Sequence, residues 1–490
     1  MANYIATDTD LTAVANAIRT KGGTSESLEF PSEFVTAIEN IPTGGGGTVT
    51  KGDVNFIDYD GTLIASKTKA EINAMTSDSD LPANPTHTGL TSQGWNWTVA
   101  QLKAQLTAMP DQPIWVGQMY ITESGATEID VIMQEGRLSP FMTICVNGEV
   151  SIDWGDGVPP DTVTGTSLTS RKAVPHTYIS AGSYTIKISS VSGTYGFYGS
   201  TSYTLLRKST AGNLNRVYSN CIQHIRLGGG ITSIGDYAFY NCTSLTSITI
   251  PSGVTSIGGY VFQSCYAIAS ITIPSGVTSI GTNAFQNCYS LVSVTTPSGV
   301  TRIGGSAFSN CTSLTSITIP SGVTSIVAQV FNGCYSLANI TIPSGVTSIG
   351  ANAFQNCYSL ASVTIPSGVT SIDGSTFYSC YSLASVTIPS GVTSIETYAF
   401  QSCYSLSSVT IPSSVTSIGN NAFQSCYGMA EYHFQSATPP TLSNTNAFAN
   451  VTTDCVIYVP YSEDHSILTA YQTATNWSTY ASYMQEEPAS

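Results

Sequence analysis

Two aspartates, Asp58 and Asp60, stand in the run F-I-D-Y-D-G-T, directly after the apolar Phe56 and Ile57. Two carboxylates at the end of an apolar strand have the residue types for a nucleophile and a proton shuttle. The same letters also read as a strand closing in an Asp-Gly turn. Cysteine offers a second chemistry. Cys242, Cys265, Cys288, Cys311, Cys334, Cys357, Cys380, Cys403 and Cys426 follow one another at a step of 23 residues. Zinc sites need paired spacings such as C-x-x-C, which that step does not supply. Neighbouring copies could come close enough for a disulfide. A column of buried thiols is the simpler reading, because Cys is among the most buried residue types. Cys145, Cys221 and Cys455 fall outside the step. The histidines, His87, His176, His224, His433 and His465, are scattered, and none is visibly paired with a nucleophile. The expectation is therefore no catalytic residues, no metal and no cofactor.

Tyrosine carries the remaining signal. Tyr266, Tyr289, Tyr335, Tyr358, Tyr381, Tyr404 and Tyr427 each follow a cysteine of the ladder, with Thr243 and Thr312 in the other two copies. Aromatic rings with a polar tip, set on a neutral hydroxyl-rich surface, suit recognition of a glycan or a protein. These seven are the candidate receptor-binding residues. The plainer reading is that the rings cover the outer edge of whatever the repeat builds.

The repeat must position them. Phe239, Phe262, Phe285, Phe308, Phe331, Phe354, Phe377, Phe400 and Phe423 keep the 23-residue step, as do the prolines from Pro251 to Pro412. One unit reads L-T-S-I-T-I-P-S-G-V-T-S-I-G-x-x-A-F-x-x-C-x-S. Ile248 and Ile250 alternate with Ser247 and Thr249, the period of a half-buried strand. Pro251 to Gly253 supply a turn, and Val254 to Ile257 form a second extended piece. Ala238, Phe239 and Cys242 fall on one inward face of a single helical turn. No unit can bury its own apolar face, so the units must stack. Nine rungs at about 4.8 Å each make a rod of about 45 Å. The signature I-x-I-P…I-G-x-x-A-F-x-x-C resembles the leucine-rich repeats of bacterial surface antigens, over residues 231–428. The fold class expected is mainly β: a leucine-rich-repeat solenoid of 23-residue repeats with a C-terminal cap, preceded by a β-sandwich and a small N-terminal helical module. The cap, 429–490, is marked by T-P-P-T-L and I-Y-V-P, then Trp477 and Tyr480. It is needed because an open sheet edge pairs with other chains.

Upstream, residues 1–42 read as two short helices, with Leu11, Val14 and Ile18 on one stripe and Phe34, Ile38 and Ile41 on the other. Their pattern resembles a module at the start of bacteriophage and prophage tail proteins. Residues 43–50 are a Gly-rich linker. Residues 51–136 are mixed α/β, with a helix expected from Val99 to Met109, and the pieces F-I-D-Y-D-G-T and G-L-T-x-Q-G-W-N-W resemble tail-protein segments. Over 137–190, W-G-D-G…H-x-Y…G-x-Y-x-I resembles the polycystic-kidney-disease type of β-sandwich. Residues 191–230 connect it to the array and cap its start. D-x-D-G-T also resembles the nucleophile motif of haloacid-dehalogenase-like phosphatases, which would make Asp58 the nucleophile and Asp60 the proton shuttle. Against that stand the missing strand–helix alternation, the absence of a positioned Lys between Thr122 and Gly155, and the prior claim of the sandwich pattern on Asp156.

Charge narrows the partners. Lys plus Arg is 15 and Asp plus Glu is 30, a formal charge of −15. Charged residues are 9% of the chain, against roughly 25% in ordinary domains. Between Gly229 and Gly428 only Asp236, Arg302, Asp373 and Glu396 are charged. That balance argues against nucleic acid, and no apolar stretch is long enough to insert in a membrane. Met1 to Asp10 lacks the pattern of a secretory signal. The leading expectation is a non-enzymatic phage or phage-like tail protein, placed on the virion and assembled in the host cytoplasm. It would dock to tail or baseplate proteins through residues 1–42 and touch a host surface glycan or protein through the array. Homo-oligomerisation is left open. The second reading is a bacterial cell-surface adhesin, and the third is the phosphatase.

Overall fold

The computed structural model describes residues 54–59, 62–108, 114–200, 203–208 and 219–488. The helical module expected over 1–42 and the linker over 43–50 lie outside the described residues.

The first layer is small. Strands β1 (Val54–Ile57), β2 (Leu63–Lys67), β3 (Leu90–Trp95) and β4 (Ile114–Thr122) form a sheet in the order β2-β1-β4-β3. Only β1 and β4 run parallel; the other pairs are antiparallel. Helix α1 (Lys69–Ala74) begins with a capping box between Thr68 and Glu71. Helix α2 (Val99–Ala108) matches the expected helix, and Thr98 and Gln101 exchange hydrogen bonds across its first turn. Val99, Leu102 and Leu106, three and four apart, place one stripe of α2 against Phe56, Ile72, Trp97 and Val116.

A longer sheet follows. Strands β5 (Thr127–Met133), β6 (Phe141–Asp153), β7 (Asp161–Pro175), β8 (Gly182–Gly196), β9 (Ile222–Arg226) and β10 (Ser247–Thr249) join in the order β10-β9-β5-β8-β6-β7. This corrects the expectation of a separate sandwich over 137–190. The alternation of β6 and β8 was legible, but their neighbour β5 comes from before residue 137 and pairs with β8 over seven residues. Through β9 the same sheet runs on into β10, the first strand of the repeat array. Arg226 on β9 clamps that junction, reaching Asp130 at 2.7 Å and Glu128 at 3.1 Å on β5. Half-burial alone would raise the Asp130 pKa. The hydrogen bonds from Arg226 and Thr185 more than offset it, so the net shift is downward.

The array then stacks in parallel register at 23 residues. Ser270 to Thr272 pair with Ser293 to Thr295, and Ser362 to Thr364 with Ser385 to Thr387. A second ladder links Ser371–Ile372, Ser394–Ile395 and Ser417–Ile418. Inside, the phenylalanines stack face to face from Phe239 to Phe448, with centroid spacings between 5.2 Å and 5.8 Å. Each thiol from Cys265 to Cys426 donates to the carbonyl of a phenylalanine 26 residues earlier, at 3.1 to 3.3 Å. All the cysteines are free and buried.

The expected helical turn at A-F-x-x-C is instead a chain of tight turns. Asn283 and Asn287, with φ of 56° and 61°, interrupt it twice, and the same pair of positions is left-handed at Asn352 and Asn356. Asn and Ser tolerate that region better than branched residues do. The reason is hydrogen bonding: Phe285 donates to Ala307 in the next rung at 2.8 Å, so it is not available to an i−4 carbonyl. The stack also outruns 428. Strands β11 (Glu431–Phe434), β12 (Val456–Val459) and β13 (Met484–Glu486) extend the sheet beyond Ser408–Ile411. Helix α3 (Ser466–Thr473) packs there, and Tyr471, Trp477 and Tyr480 close over Phe434 and Phe448. Phe448 misses the 23-residue step because the loop before it is longer, which hid this rung from a fixed-period count.

Candidate functional site

The candidate tyrosines form two stacks on the array. Tyr266 lies on Tyr289 with centroids 5.0 Å apart. Thr312 interrupts the column. Beyond it Tyr335, Tyr358, Tyr381, Tyr404 and Tyr427 stack continuously, at 4.6, 4.7, 4.7 and 5.4 Å. Rings in the middle of such a stack have both faces covered. Tyr358, Tyr381 and Tyr404 therefore present edges and hydroxyl groups, not the flat faces that stack on a sugar. Burial, followed by the neighbouring phenols, pushes the Tyr358 hydroxyl well above its usual pKa; burial also raises that of Tyr404. The column is thus a ladder of phenolic hydroxyls, groups that can both donate and accept.

Beside this column runs the strand face of the array, and its two halves differ. Sheet β1–β4 lies on the first half. Strand β4 sits over Ser247–Thr249, Ser270–Thr272 and Ser293–Thr295. Gly117 on β4 permits that approach, since a Cβ there would stand 2.7 Å from the Thr295 hydroxyl and closer still to Thr272. The side chains Ser270, Thr272, Ser293 and Thr295 are buried beneath it, whereas Ser362, Thr364, Ser385, Thr387, Ser408 and Thr410 are exposed. Tyr266 and Tyr289 stay 39% and 43% exposed, so the docked sheet covers the strand row and not the tyrosine edge.

The docking has a specific chemistry. In a parallel ladder the carbonyl before each turn proline faces the next rung's proline, which has no N–H to give. Where Gln435 replaces that proline, its N–H does donate to the Ile411 carbonyl at 3.0 Å. On the covered half the missing donors come from the docked sheet. Asn96 Nδ2 donates to the Ile273 carbonyl at 3.0 Å, Trp97 Nε1 to Thr296 at 3.1 Å, and Gln105 Nε2 to Ile319 at 3.3 Å. Asn96 also bonds the Thr295 carbonyl and hydroxyl and accepts from the Gly117 N–H at 2.8 Å. Sequence reasoning missed these residues. One signal was present: Thr296 stands where the repeat otherwise carries Ile before proline.

The Asp58 motif is put to other use. Its carboxylate is buried, with one oxygen 2.6 Å from His87 Nε2 and the other accepting the Tyr59 N–H at 2.8 Å. Tyr59, His87 and Tyr120 close around it edge to face. A nucleophile needs an approachable oxygen, and both are engaged. In the W-G-D-G run, Trp154 stacks on His176 at 4.5 Å, and Asp156 binds His176 Nε2 at 2.8 Å. Tyr178 donates to the Trp154 carbonyl. These residues knit one corner of the long sheet. Among the described residues no group of three or more His, Cys, Asp or Glu is arranged to hold a metal.

Comparison with known proteins adds the repeat type. Residues 214–338 and 324–453 match the BspA type Leucine rich repeat region. No curated protein matches the sequence. Among solved structures, a leucine rich cell surface protein from Faecalibacterium prausnitzii is 27% identical, covering 58% of this chain and 91% of its own, with a TM-score of 0.36. A leucine-rich repeat protein from Bacteroides ovatus is 23% identical over 61% of this chain and 97% of its own, with a TM-score of 0.30. The leucine-rich repeat protein of T. pallidum is 24% identical over 44% and 85%, with a TM-score of 0.27. Parallel rungs and the Phe column agree with that match: over residues 219–453 the chain folds as a leucine-rich-repeat solenoid.

Proposed function

We infer that this chain is a non-enzymatic surface adhesion protein that binds a receptor, glycan or protein, along the edge of its repeat array. The observation that carries the reading is the unbroken ladder from Tyr335 to Tyr427, set beside the half of the strand face that the described residues leave open. A binding surface made of many shallow hydroxyl contacts gains strength by summation along the rod and by avidity. Long-range steering is weak there, because Asp373 and Glu396 are the only charges between Tyr335 and Tyr427.

The phage-tail reading rests on sequence resemblance in residues 1–42 and in G-L-T-S-Q-G-W-N-W. The latter segment has another use in this fold: Asn96 and Trp97 hold the array, and Gln93 accepts the Ser252 N–H. That moves the weight to the adhesin. The test replaces Tyr335, Tyr358 and Tyr381 together by Ser and measures attachment of protein-coated beads to cells. Attachment should fall at least about tenfold, equivalent to 1.4 kcal/mol, with the melting curve unchanged. Undiminished attachment would return the tyrosines to a covering role.

A further inference from the structure

Among the described residues, the open half of the strand face repeats the chemistry of the covered half without its occupant. The parallel register sets the carbonyls of Ile342, Ile365 and Ile388 opposite Pro366, Pro389 and Pro412 in the next rungs, as it sets that of Ile411 opposite Gln435. Proline offers them no N–H, and no other donor among the described residues reaches them. The window has two defined ends. On one side Gln105 serves Ile319, and on the other Gln435 serves Ile411. Ile342, Ile365 and Ile388 are 5%, 3% and 6% exposed, while the served Ile273 and Ile319 are 0% exposed. Exposed hydroxyls flank the row at Ser362, Thr364, Ser385 and Thr387.

An occupant must meet three conditions. It must donate hydrogen bonds to a row of acceptors at the rung spacing. It must be uncharged, since burying an unpaired charge against this neutral face is costly. It must also be narrow. Four strands at about 4.8 Å and three residues of width give a footprint on the order of 200 Å². A stable protein partner covers about 800 Å² on each side, so a second copy of the chain or a folded protein finds too little area here. A linear polyol laid along the rod meets all three conditions, since its hydroxyls recur along the chain and both donate and accept.

We propose that the open strand face, built on the carbonyls of Ile342, Ile365 and Ile388, is a binding groove for a neutral linear polysaccharide lying across the rungs. This rests on the adhesion reading and names a ligand class for a face separate from the tyrosine edge. The sugar hydroxyls take the place that Asn96, Trp97 and Gln105 hold on the covered rungs, and Thr364 and Thr387 supply the second partner for each.

The experiment uses the full chain and four soluble probes: a β-1,4-glucan, a mannan, dextran and, as a charged comparison, hyaluronate. Binding is read by titration calorimetry at low and high salt. At least one neutral polymer should bind with an affinity that salt does not change, and hyaluronate should not bind. Thr364→Lys with Thr387→Lys should weaken that binding at least about tenfold. If this double variant melts early, Ser362→Lys on the same exposed face replaces it. Failure of all three neutral polymers to bind overturns the proposal, as does undiminished binding by the lysine variants. Cell attachment lost in the lysine variants but insensitive to periodate treatment of the cells points to a protein occupant. That overturns the glycan groove and leaves the adhesion reading standing.

Discussion

At the scale of single residues, the column of Phe and Cys fixes the array. Phe331 is fully buried, stacked on Phe308 at 5.8 Å and Phe354 at 5.6 Å. Its neighbours cannot close a gap easily, because each rung is tied to the next by bonds such as Phe331 N–H to the Ala353 carbonyl at 2.9 Å. Phe331→Ala should therefore cost about 3–5 kcal/mol, the range for large-to-small changes that leave a cavity. Denaturant unfolding checks this, and a loss below about 1 kcal/mol would remove the ring from the column. The thiols beside it are inert for a related reason: burial pushes Cys311, Cys357 and Cys403 well above the usual range, so they stay protonated and donate to carbonyls. Asp58 teaches the opposite lesson. Its motif was plain in the sequence, but its role depended on His87, 29 residues away.

At the scale of elements, the decisive contact is sheet β1–β4 on the strand face. Asn96 is fully buried and satisfies acceptors in two successive rungs. Asn96→Leu keeps the volume and removes the bonds, leaving the Gly117 N–H and the Ile273 carbonyl unpaired. A loss of about 1–3 kcal/mol is expected for such unmade buried bonds. Amide exchange should quicken in β4 and α2 while the rungs from Tyr335 to Tyr427 keep their protection. Uniform quickening across the array would mean that the sheet and the rungs unfold as one unit.

At the scale of the whole molecule, both ends of the array are covered. The long sheet continues into β10 at the start, and β11 to β13 with α3 close the far end. A chain ending at Gly428 would expose the Phe423 ring and the open edge of Ser408–Ile411. Such an edge templates pairing with other chains, so this truncation should elute as aggregate in size-exclusion chromatography. A monomeric truncated chain with an unchanged melting point would show that the last regular rungs need no cap.

The sequence by itself determined the rungs, their inward Phe and Cys, their turn prolines and the tyrosine column. A strict period does that because every copy meets the same neighbours above and below, so local pattern and local environment coincide. It could not determine which rungs are covered. Ser270 and Thr272 carry the same letters at the same repeat positions as Ser385 and Thr387, yet the first pair is buried and the second exposed. The difference comes from the docked sheet, whose strand β4 lies over the first pair and whose Asn96 and Trp97 meet Thr295 and Thr296 across 199 residues of chain. Pattern fixes how a rung is built; only the tertiary structure decides what lies over it, because coverage is set by contacts that no local period encodes.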